Sequence, residues 1–369
     1  MKLGQAVSWL MGNLQRSLFP RLEECWQRPL SEKEKQLVNI LEMVQVEIHI
    51  PKSASRQWLG RKLRERGAIA RSFVAKAVYN HPFTRTTIDA LRGTPNLRHI
   101  CGFERVSDIP SESTFSRAFA EFAESGLGDK VHEALVRHSL QDELVGHISR
   151  DSTAIRGREK PAKKEPKQKP VPKKRGRPKR GEKRSDPEEK RLDRQCRQSS
   201  GEALEELSTV CDVGIKKSSK GYREVWIGYK LHADVNDCGL PLSVVLTSAS
   251  VHDSQVAIPM MKMTSAKVDY LYDLMDAAYD AKQIYEASKS LGHVPIIDKN
   301  SHRRKEVIPM APHEAARYRE RTAVERFYSR LKEEYGARNV MVRGSRKVKL
   351  HLMFGVVAIF ADQLIRLVT

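Results

Sequence analysis

Residues 225–235 read VWIGYKLHADV. Val225, Ile227, Tyr229, Leu231, Ala233 and Val235 alternate with Trp226, Lys230, His232 and Asp234, the period of a strand. Asn236-Asp237-Cys238-Gly239 then supplies turn residues, and residues 242–247 return as a second strand. Further on, 268–276 and the fully apolar 293–297 predict two more strands. Between them 281–291 reads as a helix, with Asp280 as N-cap, Gln283 three residues on, and Gly292 as the stop. A long helix over 312–335 and a final one over 347–367 complete the chain. Antiparallel strands first, then strand–helix–strand, then helices, make an α/β layout.

Upstream the period is different. Residues 33–48 place apolar side chains at three- and four-residue spacings, 68–78 repeats the pattern, and 86–91 is a third helix before Gly93 and Pro95. Ile109-Pro110-Ser111 opens another helix, with Ser111 or Ser113 as cap. Residues 1–143 are therefore expected to form an all-helical N-terminal region, arranged either as a helix-turn-helix or as a plain bundle.

With 369 residues, 40 % hydrophobic and 30 % charged, the chain can bury a sizeable core and fill two domains. Lys plus Arg is 66 and Asp plus Glu 46, so the net charge is 66 − 46 = +20. That surplus calls for a polyanionic partner, nucleic acid first and an anionic membrane surface second. The five cysteines are scattered without a CxxC pair, which excludes a zinc ribbon and points to a reducing compartment. The N-terminus lacks a small-residue cleavage site, and the most apolar stretch, 352–361, is about half a bilayer-spanning length. A soluble, intracellular protein is expected.

Much of the charge is concentrated. Residues 156–194 hold eighteen Lys and Arg against seven Asp and Glu, with prolines at 161, 166, 170, 172, 178 and 187 and almost nothing apolar. Such a segment cannot fold by itself, and a disordered basic insert is expected over 156–206. It contains Arg175-Gly176-Arg177-Pro178, an AT-hook-like core suited to a narrow A·T minor groove.

Three acidic residues stand out by position. Asp151 lies in HISRDSTAI, a strand opening the α/β part, and Asp276 lies where a strand breaks into a turn. Carboxylates at strand ends offer oxygens to magnesium. In YRERTAVERFYSRLKEEYG, Tyr318, Arg321, Glu325 and Lys332 fall at about 0°, −60°, −20° and −40° around a helix, one narrow polar stripe. Val324, Phe327 and Leu331 lie at about −120°, 180° and −140°, offset toward a core.

The pattern Tyr-x2-Arg-x3-Glu-x6-Lys resembles the signature helix of the DDE transposases of bacterial insertion sequences, in the subgroup marked by Y-R-E-K. Asp276 in DAAYD resembles the second aspartate of that family, Asp151 in RDST the first, and IPSESTFSRAF a segment common in its N-terminal region. The resemblance spans about residue 80 to the C-terminus. It implies an RNase H-like mixed sheet with flanking helices over 144–337, and a C-terminal helix over 338–369 packed on that domain or on a partner subunit. It further implies that Asp151, Asp276 and Glu325 are catalytic and hold two Mg2+ or Mn2+ ions about 3.5–4 Å apart. Arg321 and Lys332 would clamp phosphates and Tyr318 would hydrogen-bond one. Arg175 and Arg177 would add DNA contacts, and His232 and His252 stand where relatives often carry histidine, as packed or capping imidazoles or as supports beside the carboxylates. The implied partner is double-stranded DNA, both transposon ends and target, bound by a homodimer in a bacterial cytoplasm at the nucleoid, with no membrane.

The sequence departs from the subgroup in two ways. About fifteen residues, 300–314, separate the last strand from the Glu325 helix, so the β-rich insertion of the best-known members is absent. No Trp, Tyr or Phe occurs over 300–317 to stack a flipped base, and the basic insert sits in an unusual place. The competing expectations are a non-catalytic AT-hook-type DNA-binding protein and a transposase-derived protein that has lost activity.

Overall fold

A computed structural model describes residues 28–50, 66–140, 143–163, 189–217, 221–300 and 309–368. The N-terminal region carries α1 (Glu32–Val44), α2 (Arg66–Val78), α3 (Thr84–Gly93), α4 (Pro95–Cys101), α5 (Glu112–Glu124) and α6 (Leu127–Leu140). Then follow β1 (Leu144–Arg156), α7 (Arg191–Arg197), α8 (Ser200–Glu205), β2 (Asp212–Lys217), β3 (Arg223–Asn236) and β4 (Pro241–Ser248). Next come α9 (Ser254–Ser265), β5 (Asp269–Met275), α10 (Lys282–Ser290) and β6 (Val294–Ile297). The chain closes with α11 (Pro312–Tyr318), α12 (Thr322–Glu333) and α13 (Ser345–Val368).

The six strands form one mixed sheet in the order β2-β3-β1-β5-β6, with β4 also on β3. β1 is antiparallel to β3, with Asp151 opposite Ala233, and parallel to β5, with Arg150 opposite Met275. Gly228 marks the bend of β3. Its φ is 150°, and a Cβ there would lie 2.2 Å from the Ile155 carbonyl oxygen, so only glycine lets the two backbones approach.

The period-two alternation of β1 separates two environments. Ser149, Asp151 and Thr153 meet the α11–α12 segment: Ser149 Oγ donates to the Glu320 carbonyl at 3.1 Å, and Thr153 Oγ1 accepts from Lys332 Nζ at 2.6 Å. Arg150 and Ser152 point the other way. Arg150, fully buried, pairs with Asp234 at 2.7 Å and Asp273 at 3.0 Å. The Thr264 hydroxyl donates to the same Asp234 oxygen that Arg150 holds, and the Ser288 hydroxyl to the other oxygen of Asp273, each at 2.6 Å. Two buried carboxylates around one guanidinium thus lock β1, β3 and β5 together on that face.

The C-terminal helix differs from expectation. α13 packs chiefly on α1, α2, α5 and α6, with smaller contacts to α12 and β4. Leu350, Leu352, Met353, Phe354, Val356, Val357, Ile359 and Phe360 are all buried. A helix apolar on every side needs partners on every side. Helical region and sheet therefore share one core, which runs from Leu37 through Phe73, Phe119 and Leu231 to Phe360. At 24 residues α13 is long and apolar enough to cross a bilayer, yet 83 % of its most apolar window is buried within the protein.

The insert is shorter than 156–206. Arg156 is the last residue of β1, and 191–205 fold as α7 and α8. Ser199 and Glu202 form a reciprocal capping box, while Leu192 and Leu204 pack against the clusters under α9 and α10. Residues 164–188, including Arg175 and Arg177, lie outside the described residues. β2 was not anticipated either: Gly214 interrupts its alternation because the Trp226 ring covers it, leaving 2.4 Å for a Cβ.

Candidate active site

Asp151 sits midway along β1, and Asp276 follows the last residue of β5, at the C-terminal end of that parallel pair. Asp276 caps a short 3-10 turn, its Oδ1 accepting the Ala278 N–H at 2.9 Å. Asp151 Oδ1 accepts the Ser152 N–H at 2.7 Å, and the Tyr328 hydroxyl donates to the Asp151 carbonyl at 2.6 Å. Both carboxyls are largely withdrawn from water. Burial pushes Asp151 up to about 6; the Asp276 charge adds to the rise, and the Ser152 amide and Arg321 hold part of it back. Burial likewise raises Asp276, against the Ala278 amide and Arg321.

Arg321 joins the strand to the helix. Its Nη1 lies 3.3 Å from Asp151 Oδ2 and its Nη2 2.5 Å from Glu325 Oε1. The polar stripe thus faces β1, although the helix carrying it is not continuous. Residues 319–321 tighten into a 3-10 turn between α11 and α12, where the Glu320 carbonyl accepts the Ser149 hydroxyl. Lys332 is anchored on Thr153, and burial lowers its pKa. Tyr318 stands 5.8 Å, ring centroid to guanidinium carbon, from Arg321, and burial pushes its hydroxyl up to about 12.

The structure brings Asp151 and Asp276 together and ties Glu325 to them through the Arg321 guanidinium. As arranged, no three His, Cys, Asp or Glu side chains among the described residues form a group that could hold a metal. The donors are nonetheless of the right kind. All are carboxylate oxygens, the choice of hard divalent cations such as Mg2+ and Mn2+. A cationic group already bridges two of them, and burial raises the pKa of both aspartates although Arg321 and Lys216 oppose it.

The two histidines part company. His252 is exposed and its Nδ1 bonds Ser254 Oγ at 2.8 Å. His232 is fully buried, with Nε2 on Thr247 Oγ1 at 2.9 Å and Nδ1 4.0 Å from Asp253 Oδ1. Burial lowers its pKa to about 4, with Asp253 opposing.

Asp253 is the neighbour the sequence did not signal. Its Oδ1 accepts from Ser152 Oγ at 2.9 Å and from Lys230 Nζ at 3.0 Å. Burial would raise this carboxyl, but His232, Lys230 and Ser152 hold it below the ordinary value. The buried Tyr279 hydroxyl, without a hydrogen-bond partner among the described residues, lies within the field of Asp253, Asp151 and Asp276. Lys216 of β2 adds a positive contribution at both Asp151 and Asp276. Only the small turn signals around Val251 and Asp253 could have drawn attention to this corner.

A sequence profile described as the transposase DDE domain matches residues 147–361, from β1 through most of α13. No curated protein matches the chain, and no solved structure does.

Proposed function

The chain belongs to the DDE transposase family, and on that premise we propose that it binds the terminal inverted repeats of a bacterial insertion sequence and cuts and joins DNA strands there. The proposal places it in the Y-R-E-K subgroup, with an RNase H-like catalytic domain and Asp151, Asp276 and Glu325 as the catalytic carboxylates. These three would hold Mg2+ or Mn2+, two ions per active site. When bound, the ions activate an attacking oxygen and neutralise charge on the leaving one.

The residues of the chain account for the rest. Burial disfavours the charges of Asp151 and Asp276, a cost that a bound divalent cation would offset. Arg321, beside Asp151 and Glu325, would offer its guanidinium to a phosphate were those carboxylates to hold a cation. Lys332, fixed by Thr153, presents a point charge beside the same strand, and Tyr318 offers a hydroxyl. Phosphodiester displacement is chiefly positioning and charge neutralisation, and this set supplies both. The α1–α6 region is assigned to recognition of the transposon end, and Arg175 and Arg177 to sequence-tolerant contacts. The proposed partners are transposon-end and target DNA held by a homodimer at the nucleoid.

The observation that carries this reading is the Arg321 bridge between Asp151 and Glu325, which unites residues 174 positions apart. The test is incubation with Mg2+ and DNA bearing the inverted repeats that flank the coding region. Nicking at the repeat boundary is expected. A gel shift without any cutting would favour a DNA-binding protein without catalysis.

A further inference from the structure

A cavity of about 320 Å³ opens among the helices and shares no residue with the carboxylate site. Its wall includes Lys76, Thr84, Glu112, Arg343, Lys347 and His351. Three helix beginnings converge on it. Thr84 is the first residue of α3, Glu112 the first of α5, and Lys347 lies in the first turn of α13. The N-cap residues of α3 and α5, Phe83 and Ser111, give no side-chain bond to their first-turn amides. Those first-turn N–H groups are without a side-chain cap, and the positive ends of the helix dipoles lie at the wall of the cavity.

The second observation is independent of the helices. Lys76 is 7 % exposed, and neither a hydrogen bond nor an ion pair holds its ammonium among the described residues. Burial lowers its pKa to about 8 with no carboxylate opposing. The titratable groups that feel it, His81 and His351, are themselves lowered by its charge. Arg343 and Lys347 are likewise without ion pairs among the described residues, and the acidic residue of the wall, Glu112, pairs with none of the three. A buried unpaired ammonium is costly, and a cavity that collects three cations and three helix N-termini lacks one thing, an anion.

The geometry points to a phosphate site in this cavity, occupied by a backbone phosphodiester of duplex DNA and distinct from the catalytic carboxylates. Phe73 and Phe119 form an apolar part of the wall, against which the sugar of the same nucleotide can lie. This assignment rests on the reading of the chain as a DNA-acting protein. Free inorganic phosphate shares the chemistry, and the test separates the two.

The full chain is titrated against a labelled random-sequence duplex over a salt series, followed by anisotropy. Lys76→Met keeps the length and apolar stem of the side chain and removes its charge. It is expected to bind more weakly, with a log K versus log salt slope shallower by about 0.9, one phosphate contact. Arg343→Gln, an exposed change, gives the same reading should Lys76→Met fail to fold. Unchanged slopes in folded variants overturn the inference. Wild-type protein that binds the duplex but never cuts repeat-bearing DNA in Mg2+ defeats the catalytic reading and leaves this one standing; no duplex binding at all defeats both. In a companion melting experiment, inorganic phosphate should raise the wild-type Tm, and saturating duplex should abolish that effect. A phosphate effect that persists beside saturating duplex would assign the cavity to free phosphate and overturn the phosphodiester.

Discussion

Arg321 holds Glu325 at 2.5 Å across one helical turn, and the other arm of the same guanidinium reaches Asp151. On the proposed reading, the guanidinium and a divalent cation would compete for the same oxygens. Arg321→Ala is expected to raise the affinity for Mn2+, measured by calorimetry, by up to about fivefold, the equivalent of about 1 kcal/mol for a half-exposed pair. Cleavage of end DNA should fall in the same variant. A lower Mn2+ affinity would show that Arg321 organises the carboxylates instead of competing for them.

Asp151→Asn, Asp276→Asn and Glu325→Gln are each expected to abolish strand cleavage while leaving end binding largely intact, since each amide keeps the shape and loses the charge. The two aspartate variants carry a second signature. Burial disfavours both charges, so without metal the neutral variants should melt at or above the wild-type temperature. Robust Mg2+-dependent cleavage by any one of the three would remove that residue from the active site.

Arg150 is the neighbour of Asp151 and has the opposite role. Arg150→Met strands Asp234 and Asp273 in the core and should cost roughly 3–5 kcal/mol in denaturant unfolding. A loss below about 1 kcal/mol would mean that the two aspartates take up protons cheaply.

His132 and His351 join the helices to the rest of the fold. His132 Nε2 meets the Pro241 carbonyl at 2.7 Å and His351 Nε2 the Gly336 carbonyl at 3.0 Å. Burial lowers both to about 3 from an ordinary 6.5; Lys267 and Lys349 add to the effect at His132, and Lys76 at His351. Between those values the unfolded chain binds the protons and the native one does not. Stability is therefore complete above pH 6.5 and declines as pH falls toward 3, by up to about 1.4 kcal/mol per unit for each histidine. His132→Gln and His351→Gln should each flatten the acid limb of the stability–pH curve, and an unchanged limb would contradict this.

The basic stretch is testable by deletion. Ala162 N–H donates to the Cys211 carbonyl at 2.9 Å, so removal of residues 164–184 leaves that tether in place. It takes away eleven Lys and Arg and two Glu. If half of those cations touch phosphate, the salt slope of duplex binding should flatten by roughly five units. An unchanged slope would mark the stretch as a spacer.

Much of this was legible beforehand, and the exceptions have physical causes. Alternation over 225–235 gave β3 and Asn236 to Gly239 its turn, but not its burial: Val225 and Ile227 are exposed with Trp226 buried between them, and in the second half of the strand both faces are covered, His232 and Asp234 as fully as Leu231 and Ala233. The 312–335 stretch read as one helix because it has no Gly and no Pro after its first residue and its apolar residues recur at helical spacing; the break in its middle coincides with the tertiary bond from Ser149 to the Glu320 carbonyl, 171 positions away. Asp280 was expected to cap α10, but its carboxylate instead accepts the Asn300 N–H at 3.0 Å, and Ala281 holds the cap position. The carboxylate trio followed from the resemblance, whereas Asp253 and Lys230 meet through side chains that no spacing rule connects. The capping box at Ser199 and Glu202 was present in the sequence but hidden inside a highly charged stretch.

The position of α13 sets an order of events during synthesis. The first helices cannot complete their packing until residues 345–368 have left the ribosome, because their central neighbour is made after every strand of the sheet. A nascent chain that already carries Asp151, Asp276 and Glu325 still lacks the element that closes the helical half. The helical half would then close late, and an interrupted chain would leave it open.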